Sequence, residues 1–187
     1  MNRFYELIRR RGIGLLMCFL VLTVSSFLLV TGDAAGAGRL EEITGGVGLL
    51  ETQLGYSEAE ARNHFTQLGE AGREHLLLGI IPLDMLFLLS YTALLITALV
   101  RTALIGTVQG SYPRRMRFLL AVPLAAGLAD LLENLIQMQI LLSFPDVSGQ
   151  LLSLMVFFTP TKFILLSAAI LLLLSELISA WLRFRLK

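Results

Sequence analysis

Four apolar stretches in this chain of 187 residues are each long enough to cross a lipid bilayer as an α-helix. A transmembrane helix needs about 20 mostly apolar residues, because it spans roughly 30 Å of hydrocarbon at about 1.5 Å per residue. The stretches cover residues 13–31, 76–100, 118–142 and 151–182. They predict an all-α fold, an integral membrane four-helix bundle with a helical extracytoplasmic segment between the first and second spans.

The composition is typical of a polytopic membrane protein. Hydrophobic residues make up 56% of the chain and charged residues 16%, whereas soluble domains carry about 45–50% and about 25%. The net charge of +1 offers no basic face for phosphates, so we expect no nucleic-acid partner. The expected partners are membrane lipids. The single cysteine, Cys18, excludes a disulfide framework within one chain. The oligomeric state is not indicated.

The first span has two interpretations. Arg9, Arg10 and Arg11 precede it and small residues follow it at 34–37, as in a secretory signal peptide. Its apolar run is about 18 residues long, however, whereas signal peptides have about 7–15. We therefore favour an uncleaved membrane anchor, with a cleaved signal as the alternative.

The positive charges predict the orientation of the chain, because cytoplasmic segments of membrane proteins are enriched in Lys and Arg. Both termini, 1–12 and 183–187, and the 101–117 loop are predicted to be cytoplasmic at the cell membrane. The 32–75 segment and the 143–150 turn are predicted to face outward. The basic residues behind this prediction are Arg3, Arg9, Arg10, Arg11, Arg101, Arg114, Arg115, Arg117, Arg183, Arg185 and Lys187.

The outer segment carries helix signals of its own. Ser57 and Glu60 have the spacing of a capping box, which predicts a helix from about 58 to 68 that ends near Gly69 and Gly72. Before it, apolar residues at helical spacing are interrupted by glycines, which predicts a broken amphipathic helix that caps the bundle. These apolar residues are Leu40, Ile43, Val47, Leu50 and Leu54.

Prolines occur in three of the spans. Pro82 and Pro123 lie near the predicted beginnings of the second and third spans, where a missing backbone N–H costs no hydrogen bond. Pro160 lies well inside the fourth span. We therefore expect only Pro160 to disturb a helix interior.

Ionisable residues within the spans are the strongest indication of a site, because each costs about 2.5–3.5 kcal/mol in hydrocarbon. Asp130, Glu133, Asn134 and Gln137 lie at offsets 0, 3, 4 and 7, which places them on one helix face. Glu176 lies near the cytoplasmic boundary, within reach of Arg183. The predicted polar cluster between spans two, three and four consists of Asp84, Tyr91, Asp130, Glu133, Asn134, Gln137, Thr159 and Lys162.

Counting from the outer ends of the spans puts Asp84, Glu133 and Lys162 at similar depths, roughly 12–17 Å at 1.5 Å per residue. Asp130 lies about one turn deeper. Three carboxylates would then surround one ammonium, and like charges this close cannot all be ionised in a low-dielectric site. The cluster is therefore predicted to hold a proton, a cation or the polar head of a ligand.

Several functions use such a cluster. It could bind a lipid-like or other small ligand, a proton or a cation; it could serve an intramembrane enzyme with a carboxylate as general acid or base; or it could hold together a structural, partner-binding subunit. No catalytic residue is assigned and no cofactor is predicted. His64 and His75 lack zinc-site spacing and are expected to be solvated or interfacial, and neither a nucleophile elbow nor a P-loop is present.

Short motifs distributed after residue 31 resemble those of a group of small, uncharacterised bacterial four-span membrane proteins. They are Gly55-Tyr56-Ser57, Leu68-Gly69, Gly72-Arg73, Leu83-Asp84 with Tyr91, Ala129-Asp130 with Glu133-Asn134, and Thr161-Lys162. The resemblance implies the four-span layout and emphasises the same polar residues. It implies no reaction, since the group has no assigned activity.

Overall fold

The computed structural model of this protein describes residues 2–53, 55–105 and 116–185. Leu54, Arg114, Arg115 and Lys187, named above for their spacing or charge, lie outside these ranges, as do the side chain of Arg183 and most of the 101–117 loop. In chain order the helices are α1 (Asn2–Thr31), α2 (Ala37–Thr44), a 3₁₀ turn (Leu50–Thr52), α3 (Glu58–Gln67), α4 (Gly69–His75), a π turn (Leu76–Ile80), α5 (Ile81–Leu104), α6 (Met116–Ser143) and α7 (Gly149–Arg185).

The predicted all-α architecture with four long apolar helices is confirmed. The stretches Arg3–Thr31, Gly69–Leu104, Met116–Ser143 and Gly149–Leu182 are long and apolar enough to cross a membrane. They extend beyond the predicted spans. α1 begins at Asn2 and continues without a break to Thr31, so residues 2–12 belong to the same helix as the first predicted span.

The second long helix begins earlier than predicted. Gly69 adopts a left-handed conformation, with φ 65°, and separates α3 from α4 there. α3 therefore ends at Gln67, close to the predicted end near Gly69, and α4 then continues through Gly72 to His75. Gly72 instead permits close packing on α2, because an added Cβ would lie 2.6 Å from Thr44 Cγ2.

A π turn joins α4 to α5 immediately before Pro82. The Ile81 N–H donates to the Leu76 carbonyl, five residues back. Proline has no N–H and its ring crowds the carbonyl four residues earlier, and a wider turn relieves that crowding. Pro123 departs from the prediction, because it lies inside α6, as Pro160 lies inside α7.

Each long helix packs against the long helix that follows it in the chain. α1 packs on α5, α5 on α6 and α7, and α6 on α7, whereas α1 and α7 scarcely touch. Ser26 and Ser90 meet between α1 and α5 with their hydroxyl oxygens 3.4 Å apart. Gly127 of α6 lies against Thr92 of α5, where an added Cβ would overlap the hydroxyl and lie 3.2 Å from Cγ2. Small residues thus lie at two of the contacts between the long helices, as is typical of membrane helix packing.

The cap, defined here as residues 37–75, covers one end of the bundle. The predicted capping box is present, with Glu60 accepting from the Ser57 N–H at 2.6 Å. These hydrogen bonds from Ser57 lower the pKa of Glu60. Arg62 donates to the Val147 carbonyl at 2.8 Å, which ties the cap to the turn between α6 and α7. The apolar core beneath the cap includes Leu40, Phe65, Leu76, Ile140, Leu152 and Met155.

Candidate binding site

Lys162 of α7 lies at the centre of the buried polar cluster. Its Nζ atom is 2.5 Å from Glu51 Oε2, 2.5 Å from Glu133 Oε2 and 3.1 Å from Asp130 Oδ1. The ammonium donates hydrogen bonds to Glu51 and Asp130, and Glu133 lies within salt-bridge distance of it. With 7% of Lys162 exposed, the charge is almost fully enclosed.

Helical geometry explains why two of these carboxylates meet one ammonium. Asp130 and Glu133 are three residues apart on α6, so their side chains project from the same face, one turn apart. α7 runs back along that face, because the turn between α6 and α7 is short. Lys162 therefore lies near Glu133, the level that the depth count predicted, and also reaches Asp130 one turn deeper.

A second set of hydrogen bonds links α5 to α6. Asn134 Nδ2 donates to Asp84 Oδ2 at 2.6 Å. Tyr91 donates its phenolic hydrogen to Asp130 Oδ2 at 2.9 Å. Asp84 and Tyr91 are seven residues apart and share one face of α5, as the spacing predicted.

Thr159 connects the cluster to the cap. Its hydroxyl donates to Glu133 Oε1, and since a carboxylate only accepts, the Tyr56 hydroxyl is left to donate to Thr159 Oγ1, 2.6 Å away. Burial raises the pKa of Tyr56 to about 12. Tyr56 therefore stays neutral at physiological pH and keeps its role as a donor.

Seven of the eight predicted residues thus lie together, and Gln137 does not. Gln137 shares the face of Glu133, but it is half-buried about one turn further along α6, and within the described ranges it takes no part in the hydrogen bonds and salt bridges of the cluster. Glu176 is buried near the opposite end of α7.

Two residues of the cluster were not predicted. Glu51 and Tyr56 are absent from the predicted cluster, and both contact it from the cap. The sequence signal for Glu51 was its place directly after Leu49 and Leu50, which are both buried and hold the 3₁₀ turn against the bundle.

A cavity of about 220 Å³ adjoins the cluster. Its polar lining consists of Thr31, Glu51, Thr52, Asp84, Tyr91, Asp130 and Lys162, and its apolar walls are Phe27, Val30, Leu49, Phe87, Phe163 and Leu166. The sequence predicted a pocket between spans two, three and four. α1 contributes a further wall through Phe27 and Val30, because it packs beside α5.

The histidines lie apart from this cavity. His64 is buried beside Phe65, contrary to the expectation of a solvated or interfacial side chain, and burial lowers its pKa. His75 Nε2 lies 3.5 Å from the Gly36 carbonyl oxygen. Over the residues that the structure describes, no three His, Cys, Asp or Glu side chains are grouped to hold a metal ion. At the polar cluster, the Lys162 ammonium occupies the centre.

Comparisons of this chain with family models, with curated proteins and with solved structures give no match. The resemblance to small bacterial four-span proteins therefore stays a prediction. The chemistry of the cavity is the remaining guide to function.

Proposed function

We propose that this chain is a multi-pass membrane protein that binds a small amphipathic, lipid-like ligand in the cavity between α1, α5, α6 and α7. The observation that carries the proposal is the juxtaposition of apolar walls with a buried, charged base in one cavity. Ligand sites are typically apolar concavities with a few converging polar groups.

The surface of the helices supports a lipid environment. Large apolar side chains lie exposed along α1 and α7, whereas soluble monomers rarely expose apolar patches beyond a few hundred Å². Water would solvate such a surface poorly, and lipid chains would solvate it well. These side chains include Ile13, Met17, Val21, Leu28, Ile164 and Leu171.

The orientation proposed from the positive charges is testable by cysteine labelling. In a Cys18→Ala background, we expect Glu70→Cys to react with a membrane-impermeant maleimide in intact cells, and Arg10→Cys to react only in inverted vesicles. Both side chains are exposed, so burial would not mask either reaction. The reverse pattern would overturn the proposed topology.

The size and the open side of the cavity favour a ligand that is only partly enclosed. Its volume of about 220 Å³ is below the roughly 300–1,000 Å³ of pockets that surround a drug-sized molecule. α1 and α7 scarcely touch, and Phe27, which lines the cavity from α1, is 49% exposed. The polar head would lie inside and the apolar tail would leave between α1 and α7.

Filling the cavity tests this proposal. We expect single-chain amphiphiles to stabilise the parent protein in detergent, and Leu166→Trp to weaken that binding by about tenfold or more, because the larger ring occupies the apolar wall. Thermal shift measurements with n-decylammonium, n-decanol and n-decyl phosphate would report the stabilisation. Native mass spectrometry would report the binding.

The matched control is Leu174→Trp, on the exposed surface of the same helix. It should bind the amphiphiles as the parent does. If none of the three amphiphiles binds the parent, or if Leu166→Trp responds as Leu174→Trp does, the proposed binding function is wrong.

A further inference from the structure

We propose that the polar head taken by this cavity is a cation, a protonated amine, and that Asp84 is the group that receives it. This rests on the proposed function, since it names the chemical class of the ligand in the same cavity. The first argument is the state of Lys162, the second is the environment of Asp84, and the third is the aromatic lining.

Lys162 is not free to receive an anionic head. Its Nζ atom donates to Glu51 and Asp130 and lies 2.5 Å from Glu133 Oε2, so carboxylates already surround it. A phosphate or carboxylate head would have to displace one of these carboxylates and would then lie among the others. Like charges at such distances repel strongly where the surroundings are apolar. The cavity therefore disfavours an anion although a lysine lines it.

Asp84, by contrast, is free to receive a cationic head. It is 8% exposed and lines the cavity. Asn134 donates to one of its carboxylate oxygens, but Asp84 forms no salt bridge with any residue that the structure describes. A buried carboxylate without a counter-ion is costly. A ligand ammonium in the cavity would supply the missing charge and would donate to the second oxygen.

The cavity walls suit an ammonium group as well. Phe87 and Tyr91 pack with ring centroids 5.3 Å apart on the α5 side. On the α7 side Phe163 lies beneath a cation already, with Lys162 Nζ 5.3 Å from its ring centroid. Aromatic faces attract cations, and clustered aromatic side chains are typical of sites that bind alkylated ammonium groups.

The head group can be identified with three amphiphiles of equal chain length, n-decylammonium, n-decanol and n-decyl phosphate, on the full chain in detergent. We expect the parent to bind the ammonium about tenfold or more tightly than the alcohol, because close charge pairs at binding sites contribute at least that much. The phosphate should bind most weakly. This ranking requires no variant, so it does not depend on whether a substitution folds.

Asp84→Asn tests the assigned residue. It should reduce ammonium binding to the level of the alcohol, and a cooperative unfolding transition in detergent would report that the variant is folded. Asp146→Asn is the matched control, because it removes the same charge from an exposed position in the turn between α6 and α7. It should leave the preference for ammonium intact.

The outcomes separate the two proposals. If the alcohol binds as tightly as the ammonium, Asp84 acts as a neutral acid and the inference is wrong, while the proposed function stands. If the phosphate binds best, or if Asp146→Asn abolishes the ammonium preference as Asp84→Asn does, the inference is also overturned. If no amphiphile binds, the proposed function itself fails.

Discussion

Replacing Lys162 with methionine is expected to lower the free energy of unfolding by about 3–5 kcal/mol, because it removes one partner from a buried ionic cluster. Methionine matches the length of the lysine stem, so the loss would come from charge rather than volume. Glu51, Asp130 and Glu133 would remain in apolar surroundings with no cation between them. Unfolding of the purified protein in detergent would measure the change.

Two comparisons isolate the buried charge. Arg39→Met breaks an exposed pair with Glu42 on the cap and should cost less than about 1 kcal/mol. The double variant Lys162→Met/Glu133→Gln should recover part of the loss, because one surplus negative charge is removed with the positive one. A Lys162→Met protein as stable as Arg39→Met would contradict the cluster as described.

Gly127→Leu is expected to destabilise the bundle by about 1–3 kcal/mol and to reduce amphiphile binding, because it overpacks the contact between α5 and α6. The new side chain would meet Thr92 where even a Cβ overlaps the hydroxyl. Separating these helices would also pull Asp84 from Asn134 and Tyr91 from Asp130. Thermal unfolding and the decylammonium titration would report the two effects.

Gly14→Leu is the matched glycine substitution. Gly14 lies in α1, and an added Cβ there meets nothing within 4 Å. Leucine has the higher helix propensity, so this variant should be as stable as the parent or slightly more stable. If both glycine variants behave alike, the close approach of α5 and α6 does not limit the packing.

The sequence predicts most of the fold because apolar length and helix caps are local properties. The four long helices and the Ser57 capping box followed from runs and spacings of a few residues. The helix ends were less predictable. Glycine commonly ends a helix, yet Gly72 lies inside α4 and packs on Thr44. Only the tertiary contact distinguishes a glycine that ends a helix from one that permits close packing.

The candidate site was predictable where its residues share one helix, and less so where the cap folds over it. Asp130 and Glu133 follow from their periodicity on α6, and Lys162 follows from its depth in the fourth span. Glu51 lies 111 positions from Lys162 in a glycine-interrupted segment, and no local pattern indicates that contact. The same periodicity overpredicts Gln137, because sharing a face does not mean sharing a level along the helix axis.

The π turn before Pro82 determines where this chain can change in length. A single π turn holds one residue more than an α-helical turn, so deleting one residue from Leu76–Ile80 would convert it to an α-helical turn and keep the faces of α4 and α5 nearly in register. A residue deleted between Asp84 and Tyr91 would instead rotate one part of α5 by about 100°, and one of the two side chains would turn away from α6. Gly45 and Gly46 have open space around them, and a residue inserted there would only lengthen a loop. Related chains should therefore vary in length at the loop or at the π turn and keep it constant within α5.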